Sequence, residues 1–248
     1  MEVHAHSHGH PGKKRWTHYF WEFLMLFLAV FCGFLAEYQL EHKIEKDREK
    51  QYMQSLVEDL QSDTLNITGV IELGYQQSAI MDTLIDFTNT QPISGENLKR
   101  FYMLGINSGR VVNMTFENRT SSQLKNAGGM RLIRRKQVSD SILQYWKYSE
   151  TCVDVSRRLE ETSNDRFDLV VRIFHNKYYI REDRPLSPLT DVKEGVQLIS
   201  SEPSLMAEFS NRVYSKNMVL KNYIRNLKRT QETAARLMEQ IRKGYHLD

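Results

Sequence analysis

The longest apolar stretch of the chain lies near its N-terminus. The fourteen residues Phe23–Ala36 carry no polar side chain. Amphipathic aromatic side chains, which favour the two interfaces of a bilayer, flank this stretch: Trp16, Tyr19, Phe20 and Trp21 before it, and Tyr38 after it. As a helix, the twenty residues from 19 to 38 would be about 30 Å long, the thickness of a bilayer's hydrocarbon core. The pattern therefore predicts a transmembrane helix over residues 16–40.

A cleaved signal peptide is the main alternative for this stretch. The basic residues Lys13, Lys14 and Arg15 fit the start of such a peptide, but no small-x-small cleavage site follows the apolar run. A lipoprotein signal is also disfavoured, because the bulky Phe31 precedes Cys32 where a small residue is expected. We therefore expect a membrane anchor that is not cleaved.

Basic residues lie on both sides of the predicted span. The cluster Lys13–Arg15 touches one edge of the span, whereas Lys43 is the first basic residue beyond the other edge. Lysine and arginine next to a span favour the cytoplasmic side, so we expect the N-terminus inside the cytoplasm and the larger C-terminal part outside it. Four basic residues follow within fifteen positions of Tyr38, and a plain count leaves the opposite orientation open.

A charged segment, residues 41–51 (EHKIEKDREKQ), follows the apolar stretch. It contains good helix formers and neither Gly nor Pro. Opposite charges recur at helical spacing, as in Lys43–Asp47 and Glu45–Arg48, and each such pair stabilises a helix by a few tenths of a kcal/mol. We predict a helical stalk that continues the membrane helix, in preference to a flexible charged linker.

Three later segments place apolar residues at spacings of three and four, the period of an amphipathic helix. These segments predict helices over residues 52–87, 136–180 and 203–243. Gly69 and Gly74 each weaken the first of them by about 1 kcal/mol relative to Ala. Such helices bury their apolar stripes against one another. We therefore predict an all-α fold, in which an N-terminal transmembrane helix continues into a stalk and an antiparallel helical bundle covers residues 52–248.

Shorter elements are expected between the long helices. A helix is predicted near residues 96–104. A second short helix would begin at Thr120, which has the capping-box spacing to Gln123, and would stop at the Gly128-Gly129 pair. Only residues 110–116 alternate in the manner of a strand.

Composition narrows the classes of function. The net charge of +3 is too balanced to indicate nucleic acid as a partner. Two cysteines cannot form a disulfide framework. The chain has no Gly-rich phosphate loop, GxSxG elbow, HExxH or paired CxxC motif. We expect a protein that is not an enzyme and that uses no cofactor.

The N-terminal fifteen residues are rich in histidine. His4, His6, His8 and His10 alternate along the segment, and imidazoles on a flexible tail can wrap around a cation such as Zn²⁺, Ni²⁺ or Cu²⁺. Glu2 is the only acidic residue nearby, so no second ligand type completes the set. A metal site in this tail is one interpretation, and a flexible polar tail over residues 1–15 is the other.

One face of the predicted membrane helix combines a carboxyl group with small residues. Glu22, Ala29 and Ala36 recur every seven residues, and Gly33 lies four residues after Ala29. Small residues on one face allow close packing between membrane helices. We expect self-association or docking through this face. The alternative for Glu22 is that its carboxyl group snorkels to the interface or is protonated.

Two segments carry a resemblance to a known family: Tyr19–Leu60 and Phe116–Trp146. In the first, a membrane helix that contains glutamate leads into a charged helix. In the family that these segments resemble, a later segment that corresponds to the second carries a Leu-Lys-small-Gly step, a Leu-Ile pair and a helix rich in Ile and Tyr. The chain resembles an uncharacterised family of single-pass membrane proteins from Bacteroidetes-type bacteria. The resemblance implies a membrane protein of the cell envelope and no particular activity.

The sequence thus predicts a single-pass protein of the inner membrane with a periplasmic bundle. We expect a non-enzymatic interaction or scaffold protein whose partners are the lipid bilayer and either a second copy of the chain or another envelope protein. The alternative is a cation-responsive sensor or transport accessory subunit that uses the His-rich tail or Glu22.

Overall fold

The structure, a computed structural model, describes residues 16–126, 128–181 and 188–247. The fold is all-α apart from one small pair of strands, as predicted. The chain divides into two compact units, Met1–Lys50 and Gln51–Asp248. Each unit is described by itself below.

The first helix, α1, runs without a break over Trp16–Thr90. It contains no proline, which would remove a backbone donor and clash with the preceding turn. The predicted transmembrane helix, the charged segment 41–51 and the first amphipathic helix are therefore one element. Its end at Thr90 lies three residues beyond the predicted end, shortly before Pro92.

In the first unit, the apolar side chains of α1 are exposed. The helix contains an 18-residue window with a mean hydropathy of 2.0, and none of that window is buried. The rings of Phe23, Phe27 and Phe31 stack along one side, with centroids 6.3 Å and 6.0 Å apart. By length and composition, this one helix of the described residues can cross a membrane.

The second unit contains the rest of α1 and four further α-helices of the described chain. These are α2 (Asn97–Asn107), α3 (Arg119–Asn126), α4 (Lys136–Ile173) and α5 (Pro203–Tyr245). Single 3₁₀ turns cover Gly129–Leu132 and Asn176–Tyr178. Helix α5 begins with proline in its first turn, as predicted.

Side-chain contacts fix the directions of the long helices. Ser78 Oγ of α1 donates to Asn217 Oδ1 of α5 at 2.7 Å, and Thr88 Oγ1, further along α1, lies 3.0 Å from the Oγ of Ser210, which is earlier in α5. Helices α1 and α5 are therefore antiparallel. The same ordering holds between α4 and α5, where Cys152 lies against Thr230 and Asp165 accepts from Arg212. Consequently α5 runs opposite to both other long helices.

The core consists of two clusters of buried apolar side chains. One lies around aromatic rings that pack edge to face, with Phe101 against Phe209 at 6.1 Å and Tyr102 against Phe174 at 4.9 Å between centroids. The other is built mainly from aliphatic side chains, and its fully buried members include Met53, Leu60, Ile142, Leu237 and Ile241. The segments predicted as the three long helices supply most of both clusters.

Helix α4 ends at Ile173, seven residues before the predicted end. Phe174 takes an extended backbone conformation (φ −112°, ψ 128°) and forms a bridge to Leu198. Strands β1 (Tyr179–Arg181) and β2 (Leu189–Val192) then pair antiparallel. The prediction of helix over 174–180 is therefore wrong. Residues 110–116, the one segment with strand-like alternation, are not a strand.

The predicted capping box at Thr120 is also wrong. Helix α3 begins at Arg119, which places Thr120 inside it. The N–H of Thr120 donates to Asp59 Oδ2 of α1 at 3.0 Å, so a carboxylate of another helix supplies the cap. The stop at Gly128 is confirmed, because this residue has the left-handed φ of +67°.

Candidate ligand cavity

A large cavity opens in the second unit, with a volume of about 1020 Å³. That volume is at the upper end of the range of about 300–1,000 Å³ that is typical of small-molecule sites. Its walls come from α1, from α4, from the segment after α2 and from the segments that flank the two strands. The main lining residues are Leu73, Gln77, Ile80, Ile106, Asn107, Gly109, Arg110, Val111, Arg166, Phe167, Val170, Val171, Phe174, His175, Tyr179 and Ile199.

Helical spacing brings the two principal walls together. On α1, Leu73, Gln77 and Ile80 follow one another at intervals of three and four, so they share one face. On α4, Val170 and Val171 stand three and four residues after Phe167, so these three side chains lie on one side of the helix. One face of α1 and one face of α4 thus line the cavity, and their side chains do not fill it.

Large apolar side chains remain exposed around the cavity. Leu73, Val111, Phe167, Val171 and Ile199 are between 40% and 56% exposed. Scattered single apolar residues are ordinary on a protein surface, but a contiguous group around a concavity marks a binding site. These five side chains give the cavity a mainly apolar wall.

Arg166 is the charged group within the cavity wall. It projects from α4 and is only 4% exposed. Its Nη1 donates to the carbonyl of Gly105 at 2.9 Å and to Ser108 Oγ at 3.2 Å. The guanidinium packs tightly against Gly109, where a Cβ atom would lie 1.9 Å from Nη2. Glycine at position 109 is therefore required by the close approach of this side chain.

Lys216 of α5 is a second buried cation close to the first. It is 1% exposed, and its Nζ donates to the carbonyls of Ser108 at 3.0 Å and Arg110 at 3.3 Å. Ser108 thus receives hydrogen bonds from both side chains, through its hydroxyl and through its carbonyl. Burial, with a contribution from the charge of Arg166, lowers the pKa of Lys216 to about 7.

Neither cation has a carboxylate partner in the part of the chain that the structure describes. Arg166 and Lys216 donate only to carbonyl and hydroxyl oxygens. The described lining of the cavity includes Arg110 and His175 but neither Asp nor Glu. Burial lowers the pKa of Arg166 to about 10, because desolvation disfavours the charged form.

Two buried polar atoms of the wall lack a hydrogen-bond partner among the described residues. They are Arg166 Nε, a donor, and Gln77 Oε1, an acceptor. Nε2 of Gln77 donates to the carbonyl of Asn107 at 2.9 Å, which fixes the amide. Buried polar groups are nearly always satisfied in native proteins. Both side chains line the cavity, so two buried polar groups beside it carry an uncompensated cost of burial.

Hydrogen bonds hold the wall that lies beside the strands. Asn107 bonds in both directions to the backbone of Leu189 in β2, with its Nδ2 donating at 3.0 Å and its Oδ1 accepting at 2.7 Å. The hydroxyl of Tyr102 donates to the carbonyl of Gln197 and accepts from the N–H of His175. These bonds fasten α2 to the segments that follow α4, so this side of the cavity is preformed.

The predicted site residues that the structure describes are not among the residues that line the cavity. Glu22, Ala29, Gly33 and Ala36 are exposed residues of the first unit. Oε1 of Glu22 lies 3.2 Å from His18 Nε2, one turn earlier in α1. His4, His6, His8 and His10 lie outside the described residues, as does the whole segment 1–15. Within the described ranges, no group of three or more His, Cys, Asp or Glu side chains could hold a metal ion.

Sequence reasoning missed the two buried cations, although a signal for each was present. Arg166 lies on the buried stripe of α4, three residues after Ser163 and three before Leu169. Lys216 lies on the buried stripe of α5, between Val213 and Leu220. A charged residue in register with an apolar stripe is rare unless it is paired. A charged residue on an otherwise apolar stripe therefore indicates a candidate binding site.

Comparison with models of known families, with curated proteins and with solved structures gives no match for this chain.

Proposed function

We propose that this protein is a membrane-anchored, non-enzymatic interaction protein of the cell envelope. In this proposal, the apolar part of α1 spans the bilayer and the unit Gln51–Asp248 is the binding domain. The observation that carries the proposal is that the apolar window of α1 is entirely unburied. A buried core helix would pass the same test of composition but would be covered by other side chains.

The energetic cost of exposure supports the anchor. Removing one large apolar side chain from water contributes about 1.5–3 kcal/mol. The run Phe23–Ala36 contains many such side chains, and Leu26, Val30 and Phe34 are between 60% and 69% exposed. A bilayer removes these surfaces from water without a partner protein.

Interaction in place of catalysis is supported by the chemistry of the binding domain. Cys152, the domain's only cysteine, is fully buried, and its Sγ lies 3.4 Å from Thr230 Oγ1. Burial raises the pKa of the Cys152 thiol, which disfavours the nucleophilic thiolate. The cavity, by contrast, offers apolar walls and a buried cation, which are the means of binding a ligand.

Membrane fractionation with matched variants tests the anchor. The double variant Leu26→Lys/Val30→Lys places two charges in the apolar window, where each costs about 2.5–3.5 kcal/mol on insertion scales. We expect this variant to leave the alkali-washed membrane fraction, in which the wild-type chain remains. The control Leu65→Lys places one charge on a side chain of α1 that is 75% exposed and outside the window, and should remain in the membrane. Equal retention of the double variant would contradict the proposal.

Reporter fusions at the C-terminus test the orientation. We propose that the N-terminus is cytoplasmic and the helical domain periplasmic, on the basis of Lys13–Arg15 beside the span. A reporter that is active only outside the cytoplasm should then be active in the fusion. Activity of a reporter that works only inside would reverse the orientation and move the search for partners to the cytoplasm.

A further inference from the structure

We propose that the cavity binds a single-chain amphiphile with an anionic head group of the fatty-acid type. Its carboxylate would pair with Arg166, and its hydrocarbon chain would lie along the apolar wall. The inference rests on the proposed function, because it names the class of ligand that the binding domain takes.

The charge of the site points to an anion. Arg166 is almost completely buried in the described structure, and its hydrogen bonds reach only Gly105 and Ser108. Its Nε is buried without a partner among the described residues. A buried cation without a counter-ion is costly. A negative charge in the cavity next to Arg166 offsets that cost.

Among the described residues, the neighbourhood of Arg166 adds positive charge and no carboxylate in the cavity lining. Lys216 shares Ser108 with it, and Arg110 lies in the lining of the cavity. The described lining contains no carboxylate that would repel an anion. Burial next to Arg166 lowers the pKa of Lys216, and a bound anion would favour its protonated form. The electrostatics of the cavity therefore favour a negatively charged head.

The rest of the cavity excludes a small inorganic anion as the main ligand. A phosphate or sulfate ion would occupy only the region around Arg166. It would leave Val111, Phe167, Val171 and Ile199 in contact with water, as they are now. A hydrocarbon chain covers these side chains, and each buried CH₂ group contributes about 0.8 kcal/mol. A ligand with an anionic head group and a hydrocarbon chain therefore matches both the region around Arg166 and the apolar wall of the cavity.

Photoaffinity labelling tests the proposal on the full chain. The protein is placed in nanodiscs of phosphatidylcholine, and a palmitic acid analogue with a diazirine in its chain is added as the probe. Peptide mapping should find label on cavity peptides that contain Val111 or Phe167, and unlabelled palmitate should compete for it. Inorganic phosphate should not compete. Label confined to residues 16–40, which face the nanodisc lipid in the proposed anchor, would overturn the inference.

A matched pair of tryptophan variants shows whether the cavity itself holds the probe. Val171→Trp fills part of the cavity from α4, where Val171 is 54% exposed. Val153→Trp adds the same side chain to the same helix, at a position that is 46% exposed and outside the lining. We expect the cavity label to be lost in Val171→Trp and kept in Val153→Trp. Equal labelling of both variants would contradict the proposal.

The role of the charge is tested with the acid and its methyl ester. In the wild-type chain the acid should label the cavity about tenfold more than the ester, the effect of one charge-assisted hydrogen bond. Arg166→Met keeps an unbranched apolar stem but removes the guanidinium and its charge, and should bring the two probes to similar labelling. A preference that survives in this variant would overturn the assignment of the head group. If Arg166→Met does not fold, the two tryptophan variants still decide whether the cavity is the site.

Flotation of the same preparations with vesicles separates this inference from the anchor. If the wild-type chain floats but takes no cavity label, the membrane anchor is supported and the proposed ligand is contradicted. If the chain takes the label but does not float, the proposed ligand is supported and the membrane anchor is contradicted.

Discussion

At the scale of single residues, Asp59 joins α1 to the start of α3. Its Oδ2 accepts the N–H of Thr120 at 3.0 Å, and its Oδ1 accepts from Arg119 Nη2 at 2.8 Å. Asp59 is 5% exposed, whereas its neighbour Glu58 reaches the same guanidinium from the surface. The buried carboxylate of Asp59 therefore accepts a hydrogen bond from the first turn of α3, as an N-cap side chain would, although it belongs to another helix.

Replacement of this carboxylate should be costly, and replacement of its neighbour should not. We expect Asp59→Ala to lower the free energy of unfolding by about 1–3 kcal/mol, because it leaves a buried N–H without a partner. Glu58→Ala removes only an exposed ion pair and should change it by less than about 0.5 kcal/mol. Urea unfolding of the full chain in a non-ionic detergent measures both. Equal losses would show that Asp59 does not cap α3.

Lys216 makes stability depend on pH. Its pKa falls from 10.5 to about 7 on folding, mainly because it is buried. Between these pH values the unfolded chain holds a proton that the folded chain has lost. The free energy of unfolding therefore rises with pH, by up to about 1.4 kcal/mol per pH unit for this group. Lys216→Met should remove this contribution.

Urea unfolding at several values between pH 7 and 10 measures the effect. The slope of unfolding free energy against pH should be lower in Lys216→Met than in the wild-type chain. Lys221→Met is the matched control, since it removes a half-exposed lysine of the same helix that pairs with Asp82. Identical slopes in the two variants would contradict the prediction.

At the scale of elements, the two glycines of α1 that lie in the second unit, Gly69 and Gly74, have different surroundings. Nothing lies within 4 Å of a Cβ built on Gly69, whereas a Cβ on Gly74 would lie 3.0 Å from two side-chain carbons of Ile224 in α5. Gly69 is exposed and Gly74 is buried. Only the second glycine therefore has a packing role.

Alanine at the two positions should act differently. Gly69→Ala should raise the free energy of unfolding by about 0.5–1 kcal/mol, the difference in helix propensity. Gly74→Ala gains the same propensity but forces Ile224 to move, and overpacking costs about 1–3 kcal/mol. We therefore expect the second variant to be the less stable in thermal unfolding. Equal gains would show that Ile224 adjusts without cost.

The long helices could be predicted because each has an apolar stripe many turns long. The stripe of α5 begins at Leu205 and ends at Ile241, and the predicted helix differs from the observed one by two residues at its end. Ends and short elements depend on contacts that are remote in sequence. Thr120 had the local spacing of a cap, but Asp59 supplies it from α1. Strands of three and four residues are too short for alternation to show.

The cavity could not be predicted from the stripes for a similar reason. A stripe shows which face of a helix is buried, but it does not show where two buried faces fail to meet. Arg166 and Lys216 could have been singled out one by one as charges on apolar faces. Their nearness depends on Ser108, which lies in the turn after α2 and receives hydrogen bonds from both. Only the three-dimensional structure supplies that link.

At the scale of the whole molecule, the chain is expected to associate with another membrane helix through one exposed face of α1. This face carries Glu22, Ala29, Gly33 and Ala36. The heptad spacing favours a second copy of the chain as the partner of this face. A Cβ on Gly33 would meet no atom within 4 Å, so a larger side chain fits in the single chain. If a larger side chain at this position reduces the amount of dimer, the cause would then be a disturbed contact between the two chains.

Oxidative crosslinking through Cys32 tests this assembly. Cys32 is exposed and lies three residues after Ala29, on the same side of the helix, whereas Cys152 is buried. Ala29→Leu/Gly33→Leu should reduce the disulfide-linked dimer in membranes, because bulky side chains hold the helices apart. Phe31→Leu, on the opposite side of the helix, should leave it unchanged. An undiminished dimer in the double variant would end the hypothesis.

The contact between Arg166 and Gly109 has a consequence for how this protein can change in evolution. A Cβ at position 109 would lie 1.9 Å from Nη2 of the arginine, so a side chain there would force the guanidinium out of its present position. Replacing the arginine first removes that clash. Among descendants of this chain, we therefore expect exchanges at 109 to accompany or follow the loss of Arg166. An alignment in which other residues stand at 109 beside a retained arginine would show that the guanidinium can move without cost.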